Sequence, residues 1–156
     1  KNDGFSLIEV MVAMVIAGVA LMGTLGAVEV SSRHVQQGGL NSKAIELAQA
    51  RLEAKRSVGW QLLLEDDLDR DGTPETLMAD DGQGADRLAG DGIHTAMSER
   101  DGVTVVWTIE AERPGSLRSA AMVMIRAVAT YPGINGHKRE VQMATIRANP
   151  NFVGQR

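Results

Sequence analysis

The chain has 156 residues, of which 44% are hydrophobic and 3% aromatic, and its formal net charge is −4. It contains no cysteine, which excludes a disulfide framework, a zinc ribbon and a thiol nucleophile. Its slight acidity argues against a generally basic nucleic-acid-binding protein. The charge is unevenly spread: residues 65–102 hold twelve acidic residues against three arginines, a local net of −9, which leaves +5 for the rest.

An apolar run lies close to the N-terminus. From Val10 to Val28, nineteen residues carry no charge and Thr24 has the one polar side chain; extended back to Phe5, the run gains one charge, Glu9. As a helix, residues 5–28 would measure about 36 Å, enough to cross a hydrocarbon core of about 30 Å. Because the run is longer than a signal-peptide core and no small-residue cleavage site follows it, we predict a membrane-spanning helix that stays with the protein.

Residues 29–58 continue this helix in a different character. Charged residues appear, while apolar residues recur at steps of three and four, which is typical of a helix that buries one face. We predict one helix from about residue 5 to 57, with Gly38-Gly39 as a point where it could bend. The predicted buried stripe consists of Leu40, Ala44, Ile45, Leu47, Ala48 and Leu52.

The second half of the chain predicts a loop and then a sheet. Residues 59–102 are rich in Asp and Gly with little periodicity, so we expect a long variable loop. Within 103–148, three runs alternate in the manner of strands: Val103–Glu110, Met122–Tyr131 and Arg139–Arg147. An antiparallel sheet packed on the amphipathic half of the helix gives an α+β fold, with residues 149–156 as a frayed tail.

A specific motif precedes the apolar run. Lys1 and Gly4 are followed by Phe5-Ser6-Leu7-Ile8-Glu9, which resembles the type III signal of type IV prepilins and type II secretion pseudopilins. The matching features are a basic residue, a Gly before the cut, a Phe after it and a Glu five residues into the mature chain. The resemblance implies the pilin-like form of the α+β fold predicted above, with residues 1–4 as a leader.

The resemblance also implies how the chain is processed. Prepilin peptidase would cut between Gly4 and Phe5 and N-methylate Phe5, and Glu9 would interact with the N-terminus of a neighbouring subunit in the filament. A carboxylate at the centre of a membrane helix costs about 2.5–3.5 kcal/mol, which favours a partner for Glu9. The alternative is that Glu9 lies among lipid headgroups at the cytoplasmic interface.

Implied partners are major and minor pilins, the peptidase, an inner-membrane assembly platform and a tip adhesin. The implied location is the bacterial inner membrane, single-pass with the N-terminus cytoplasmic, and then the surface pilus.

Two members of that superfamily and one unrelated class are the candidate functions. Residues 5–14 and 44–53 look like a PilV-type minor pilin, which would prime assembly or build the tip. An I-type minor pseudopilin of type II secretion is the first alternative. A membrane-anchored calcium-dependent receptor that never polymerises is the second. The lack of Cys argues against a major type IVa pilin, which often closes its C-terminal region with a disulfide.

The predicted apolar helix contains three glycines, Gly18, Gly23 and Gly26. They are either ordinary small residues for close helix packing or sites where the helix loosens on assembly. Pilins often have a Pro near the position of Gly26, and this chain has none there.

The acidic loop contains half of a calcium-binding pattern. Alternating carboxylates with Gly72 at the turn let several oxygens converge on one hard cation. The candidate ligands are Asp67, Asp69, Asp71, the backbone carbonyl of Thr73, and Glu75. Met78 stands where an EF-hand needs Glu, so the loop is a shorter relative of that pattern and not an EF-hand, and Asp80 and Asp81 are candidates to complete the shell. The alternative is a solvated acidic turn without an ion.

Signals for catalysis are missing from the sequence. The three histidines, His34, His94 and His137, lack ligand spacing, and we predict that they lie at the surface. No recognisable nucleophile triad, phosphate loop or zinc-protease motif is present. The pair Lys138-Arg139 is too small a basic patch to indicate nucleic-acid binding. We therefore predict a protein that is not an enzyme. We also predict that Trp60 and Trp107 are packing residues.

Overall fold

The computed structural model describes residues 6–69, 71–113 and 115–152, with the side chain of residue 135 left out. One long helix is followed by a two-stranded ribbon and a four-stranded antiparallel sheet. The elements are α1 (Leu7–Ser57), β1 (Glu65–Asp66), β2 (Thr76–Leu77), β3 (Ile93–Arg100), β4 (Val103–Ala111), β5 (Met122–Pro132) and β6 (Lys138–Ala148). Short 3₁₀ turns lie at Trp60–Leu62, Leu117–Ser119 and Ile134–Gly136.

Helix α1 is continuous over 51 residues. The predicted single helix is confirmed, and Gly38-Gly39 does not interrupt it. By its contacts the chain divides into two compact units, residues 1–39 and 40–156, so that α1 contributes to both. In the first unit, none of residues 6–39 is buried.

The second unit holds the core. Helix residues Ala44, Leu47, Ala48 and Leu52 belong to the same buried cluster as one face of the sheet. The alternation in β4 and β5 places every second residue on that face, as the sequence predicts. These buried strand residues are Val103, Val105, Trp107, Ile109, Val123, Ile125, Ala127, Ala129 and Tyr131. Ile45 is the exception in the predicted helix stripe, because it is 39% exposed.

The sheet is a meander in the order β3-β4-β5-β6, with every neighbouring pair antiparallel. In β6, Val141 and Met143 lie against the core and are half-buried. Ile146 is out of phase with them, lies on the opposite face and is 69% exposed.

The predicted loop over 59–102 is too long, because its last part forms strand β3. The turn that joins β3 to β4 consists of Asp101 and Gly102, both with positive φ (54° and 74°). An Asp-Gly pair suits a two-residue hairpin, because both central residues must adopt this left-handed conformation. The signal for β3 was therefore the turn, since its own side chains alternate only weakly.

The prediction of a frayed tail over 149–156 is wrong for its first residue, which is anchored. Asn149 is fully buried, and its side-chain amide donates to the carbonyl of Ala120 at 2.9 Å. Its backbone N–H donates to the carbonyl of Ala121 at 2.8 Å. A side chain that caps the end of a strand in this way satisfies buried carbonyls that would otherwise lack a partner.

Candidate functional site

The start of α1 carries the predicted assembly residue. Gly4 and Phe5, the predicted cleavage and methylation residues, lie outside the described part of the chain. Glu9 lies in the first turn of α1 and is exposed, and its backbone N–H donates to the carbonyl of Ser6 at 3.0 Å. A carboxylate in the first turn interacts favourably with the positive end of the helix dipole. The Glu9 carboxylate is exposed, and no other described side chain bonds to it.

The helix around Glu9 presents apolar side chains on all sides. Leu7, Met14, Met22 and Leu25 are each between 69% and 81% exposed, and their large apolar neighbours on the helix are at least 41% exposed. By length and composition this part of α1 could cross a membrane. Each such side chain left in water forgoes about 1.5–3 kcal/mol relative to burial, so the segment needs lipid or other helices around it.

The glycines of this segment are sterically unconstrained. A Cβ added at Gly18, Gly23 or Gly26 would meet no atom within 4 Å. The helix is unbroken through all three positions. Their small size therefore serves no packing within the chain itself, which leaves close approach by another helix as a use for them.

The acidic loop brings the four predicted carboxylates together. One oxygen from each of Asp67, Asp69, Asp71 and Glu75 lies within 4.8 Å of the others. The loop is held by its own backbone: the N–H of Gly72 donates to Asp67 Oδ2 at 2.8 Å, and that of Thr73 to Asp71 Oδ1 at 2.7 Å. Three of the four carboxylates are exposed and Asp67 is half-buried. Such a group of oxygens has the chemistry to bind Ca²⁺.

Asp80 and Asp81 are not part of that group, contrary to the prediction that one of them completes the shell. Asp80 instead accepts backbone N–H bonds from Gly90 (2.6 Å), Asp91 (3.2 Å) and Gly92 (2.9 Å). The bond from Gly92 is the largest cause that lowers the pKa of Asp80. Asp80, Asp86 and Asp91 form a second group of close carboxylates, in the loop before β3.

A buried ion pair joins the end of α1 to the base of the acidic loop. Lys55 is 1% exposed, and its Nζ donates to the carbonyls of Leu63 (2.8 Å) and Glu65 (2.9 Å) and lies 2.9 Å from Asp66 Oδ2. Trp107 Nε1 donates to the same carboxylate oxygen at 2.8 Å. Burial lowers the pKa of Lys55, against the opposing effect of the Asp66 carboxylate.

Sequence reasoning missed this pair. Lys55 stands in the last turn of α1, where a lysine is ordinarily a surface residue that interacts with the helix dipole. The available signal was position: Lys55 follows Leu52 by three residues and so lies on the buried stripe. The pair fixes the start of the strand from which the acidic loop departs.

Arg147 of β6 closes the end of the helix. Its guanidinium donates to the carbonyl of Lys55 at 2.6 Å and to that of Val58, and stands 5.6 Å from the ring centroid of Trp60. Partial burial lowers the pKa of Arg147. Helix-terminal carbonyls need such partners, because they have none within the helix.

The remaining sequence predictions concern histidine and tryptophan. His34 and His137 are exposed, as predicted, whereas His94 is half-buried and its Nδ1 is shielded from solvent without a hydrogen-bond partner. Trp60 and Trp107 are core residues, at 6% and 0% exposure. Two features of the described residues therefore remain as candidate sites: the exposed apolar start of α1 and the group of four carboxylates from Asp67 to Glu75.

Comparison with known proteins gives one match. The family model of the prokaryotic N-terminal methylation motif matches residues 1–25. No curated protein and no solved structure matches the chain. The match covers the predicted leader and all but the last three residues of the apolar run 5–28, and it includes Gly4, Phe5 and Glu9. The methylation motif thus leads into a long helix whose second half packs on a small antiparallel sheet, which is the pilin-like architecture that the sequence predicts.

Proposed function

We propose that the chain is a minor pilin of a type IV pilus. The observation that carries the proposal is the methylation motif at residues 1–25, which leads into a helix whose first half buries nothing within its own chain. In this proposal, prepilin peptidase cuts between Gly4 and Phe5 and methylates Phe5. The exposed apolar helix then leaves the membrane and packs among the helices of neighbouring subunits.

Glu9 has a defined role in that step. Its exposed carboxylate, in an otherwise apolar helix start, pairs with the free N-terminus of a neighbouring subunit as the helix enters the filament. Such a pair is strengthened where water is excluded, because the effective dielectric constant is low there. The variant Glu9→Ala should enter the membrane normally and be depleted from sheared filaments. Glu9→Gln is the matched control for volume, and filament incorporation of both variants at the wild-type level would contradict the pairing.

The experiment that tests the proposal is mass spectrometry of the native N-terminus. A chain that begins with N-methylated Phe5 supports processing and filament entry. A chain that retains Lys1 and stays in the membrane fraction supports the non-polymerising receptor instead. A Gly4→Val variant, which adds a branched side chain at the cut, should accumulate as the uncut form.

A minor pseudopilin of type II secretion is the alternative within the same superfamily. The exposed apolar helix and Glu9 serve either filament equally well. Deletion of the chain separates the two: loss of surface pili with intact protein secretion supports the minor pilin. Loss of secretion with intact pili supports the I-type pseudopilin.

We further propose that the loop over Asp67–Glu75 binds Ca²⁺. Four carboxylates whose oxygens lie within 4.8 Å of one another repel each other strongly, and a divalent cation would relieve that repulsion. Isothermal titration of the full chain in detergent micelles with CaCl₂ should give heat that disappears in Asp69→Asn/Asp71→Asn. Asp81→Asn, outside the group, should bind as the wild type does. Heat from the double variant equal to the wild type would contradict calcium binding at this loop.

A further inference from the structure

Strand β6 forms one edge of the sheet and has an open side. It pairs with β5 over all eleven of its residues, from Lys138 to Ala148. On its other side the described part of the chain contains no strand. An edge strand exposes a row of backbone N–H and C=O groups, which can pair with a strand of another chain.

The opposite edge is treated differently. At β3, the backbone of Ala79 exchanges two hydrogen bonds with Thr95, at 3.1 and 2.8 Å, and so covers part of that edge. The acidic loops on either side of Ala79 make continuation of a strand there difficult, because Asp80 is bound to Gly90–Gly92. Among the described residues, part of the β3 edge is thus covered, whereas no strand covers the β6 edge.

The middle of β6 has none of the usual features that discourage pairing. Residues 141–146 contain no charge, no proline and no glycine, and the pairing of β6 with β5 runs without a bulge. Arg147 is charged and so could discourage pairing at this edge, but its guanidinium binds the carbonyl of Lys55 at the end of α1. These six residues amount to about 20 Å of strand, enough to hold a short extended segment.

One end of β6 is basic and the other is apolar, which restricts the sequence of a segment that could pair with it. At the start, Lys138 and Arg139 are exposed and make no ion pair with any described residue. Near the other end, Ile146 stands opposite Met124 and beside a depression of about 200 Å³ that Met122 also lines. An antiparallel segment would place its C-terminal end beside the basic pair and its apolar residues beside Ile146.

We propose that β6 receives an extended segment of another protein subunit, which adds a fifth strand to the sheet. The segment has alternating apolar residues followed by acidic residues at its C-terminal end. Backbone hydrogen bonds to β6 supply most of the affinity. The two positive charges of Lys138 and Arg139 select the direction in which the segment binds and favour a partner with acidic residues. This inference holds whether the filament is a pilus or a pseudopilus, because it rests on the sheet and not on the N-terminal helix.

The test uses the full chain in detergent micelles and a fluorescent synthetic peptide, acetyl-Thr-Val-Thr-Val-Thr-Val-Thr-Asp-Asp-amide, followed by anisotropy. This peptide should bind at least about fivefold more tightly than the same peptide ending in Lys-Lys. The preference should reverse in the Lys138→Glu/Arg139→Glu variant, and Ile146→Lys should weaken binding of both peptides. Arg100→Glu, at an exposed arginine of β3 on the opposite edge of the sheet, is the matched control and should behave as the wild type does.

A peptide methylated on the backbone nitrogens that face β6 separates strand pairing from surface attraction, because it cannot donate to the strand. Its binding should be lost. Three results would overturn the proposal: no binding of the acidic peptide, equal binding of the methylated peptide, or an unchanged charge preference in the double variant. Dimerisation of the chain that Ile146→Lys abolishes would assign the edge to a second copy and equally contradict it. Thermal unfolding of each variant verifies that the sheet is intact.

Discussion

Residues 1–39 and 40–156 share one helix but use its apolar side chains in opposite ways. Leu25, in the first unit, is 70% exposed, whereas Leu47, in the second, is 7% exposed and part of the core. A leucine of the same helix is thus exposed in the first unit and buried in the core in the second. Intramolecular packing stabilises the second unit, and lipid or neighbouring helices must surround the first. Stability and assembly should therefore respond to separate sets of substitutions.

The largest effect should follow from breaking the buried ion pair of the second unit. Lys55→Met removes the cation and leaves Asp66 buried with Trp107 Nε1 as its remaining side-chain partner. We expect the free energy of unfolding to fall by about 3–5 kcal/mol. Urea unfolding of the full chain in micelles measures it. Lys43→Met removes a half-exposed lysine that lies near the exposed carboxylates of Glu46 and Asp101; it is the control and should cost no more than about 1 kcal/mol. Equal losses in both variants would mean that burial of the Lys55 pair is unimportant.

A matched pair of leucine substitutions tests the comparison directly. Leu47→Ala creates a cavity in the core and should lower the free energy of unfolding by about 2–5 kcal/mol. Leu25→Ala should leave it nearly unchanged but reduce the fraction of chain found in sheared filaments, because contacts with other helices are lost. Unfolding and filament incorporation are measured for both variants. The comparison fails if Leu25→Ala destabilises the second unit or if Leu47→Ala, when still folded, loses more incorporation than Leu25→Ala.

The smallest effect concerns pH and again belongs to the second unit alone. Three backbone N–H bonds hold the pKa of Asp80 below its ordinary value. Its contribution to stability is therefore present above about pH 3.9, the ordinary pKa of Asp, and is lost as the pH falls through the lowered pKa. Asp80→Asn should be less stable than the wild type at pH 7, and the difference should shrink on acidification below pH 3.9. Asp81→Asn, which neutralises a carboxylate that accepts one backbone N–H bond, should be closer to the wild type in stability at pH 7. A difference between Asp80→Asn and the wild type that stayed constant down to pH 2 would contradict this account.

The elements with strong periodicity could be predicted from the sequence. The helix stripe at Ala44, Leu47 and Leu52 and the inward faces of β4 and β5 follow from spacings of 3.6 and 2 residues, since burial on one face imposes those spacings. Strand β3 could not be found by this means. Its outward and inward residues are both mixed in polarity, and its pairing depends on the Asp101-Gly102 turn and on β4.

The candidate sites were predictable to different degrees. The four carboxylates from Asp67 to Glu75 meet because they lie within nine residues of each other, so spacing alone brings them together. The position of the Asp80 carboxylate depends on backbone amides ten to twelve residues away. The contacts of Asp66 with Lys55 and Trp107 join three elements of the fold. Contacts of that kind arise from tertiary packing, which a local pattern does not encode.

The contact between Arg147 and the end of α1 also bears on the order of events during synthesis. The carbonyl of Lys55 must wait for a residue 92 positions later before it gains this partner. A ribosome delivers the apolar segment first, so the membrane can receive it long before β6 exists. Until Arg147 has emerged, the end of the helix lacks this cap, although β4 and β5, which supply the buried face of the sheet, have already been made. Protection of the exposed stripe by a chaperone or by the membrane surface would therefore matter most before β4 and β5 are translated.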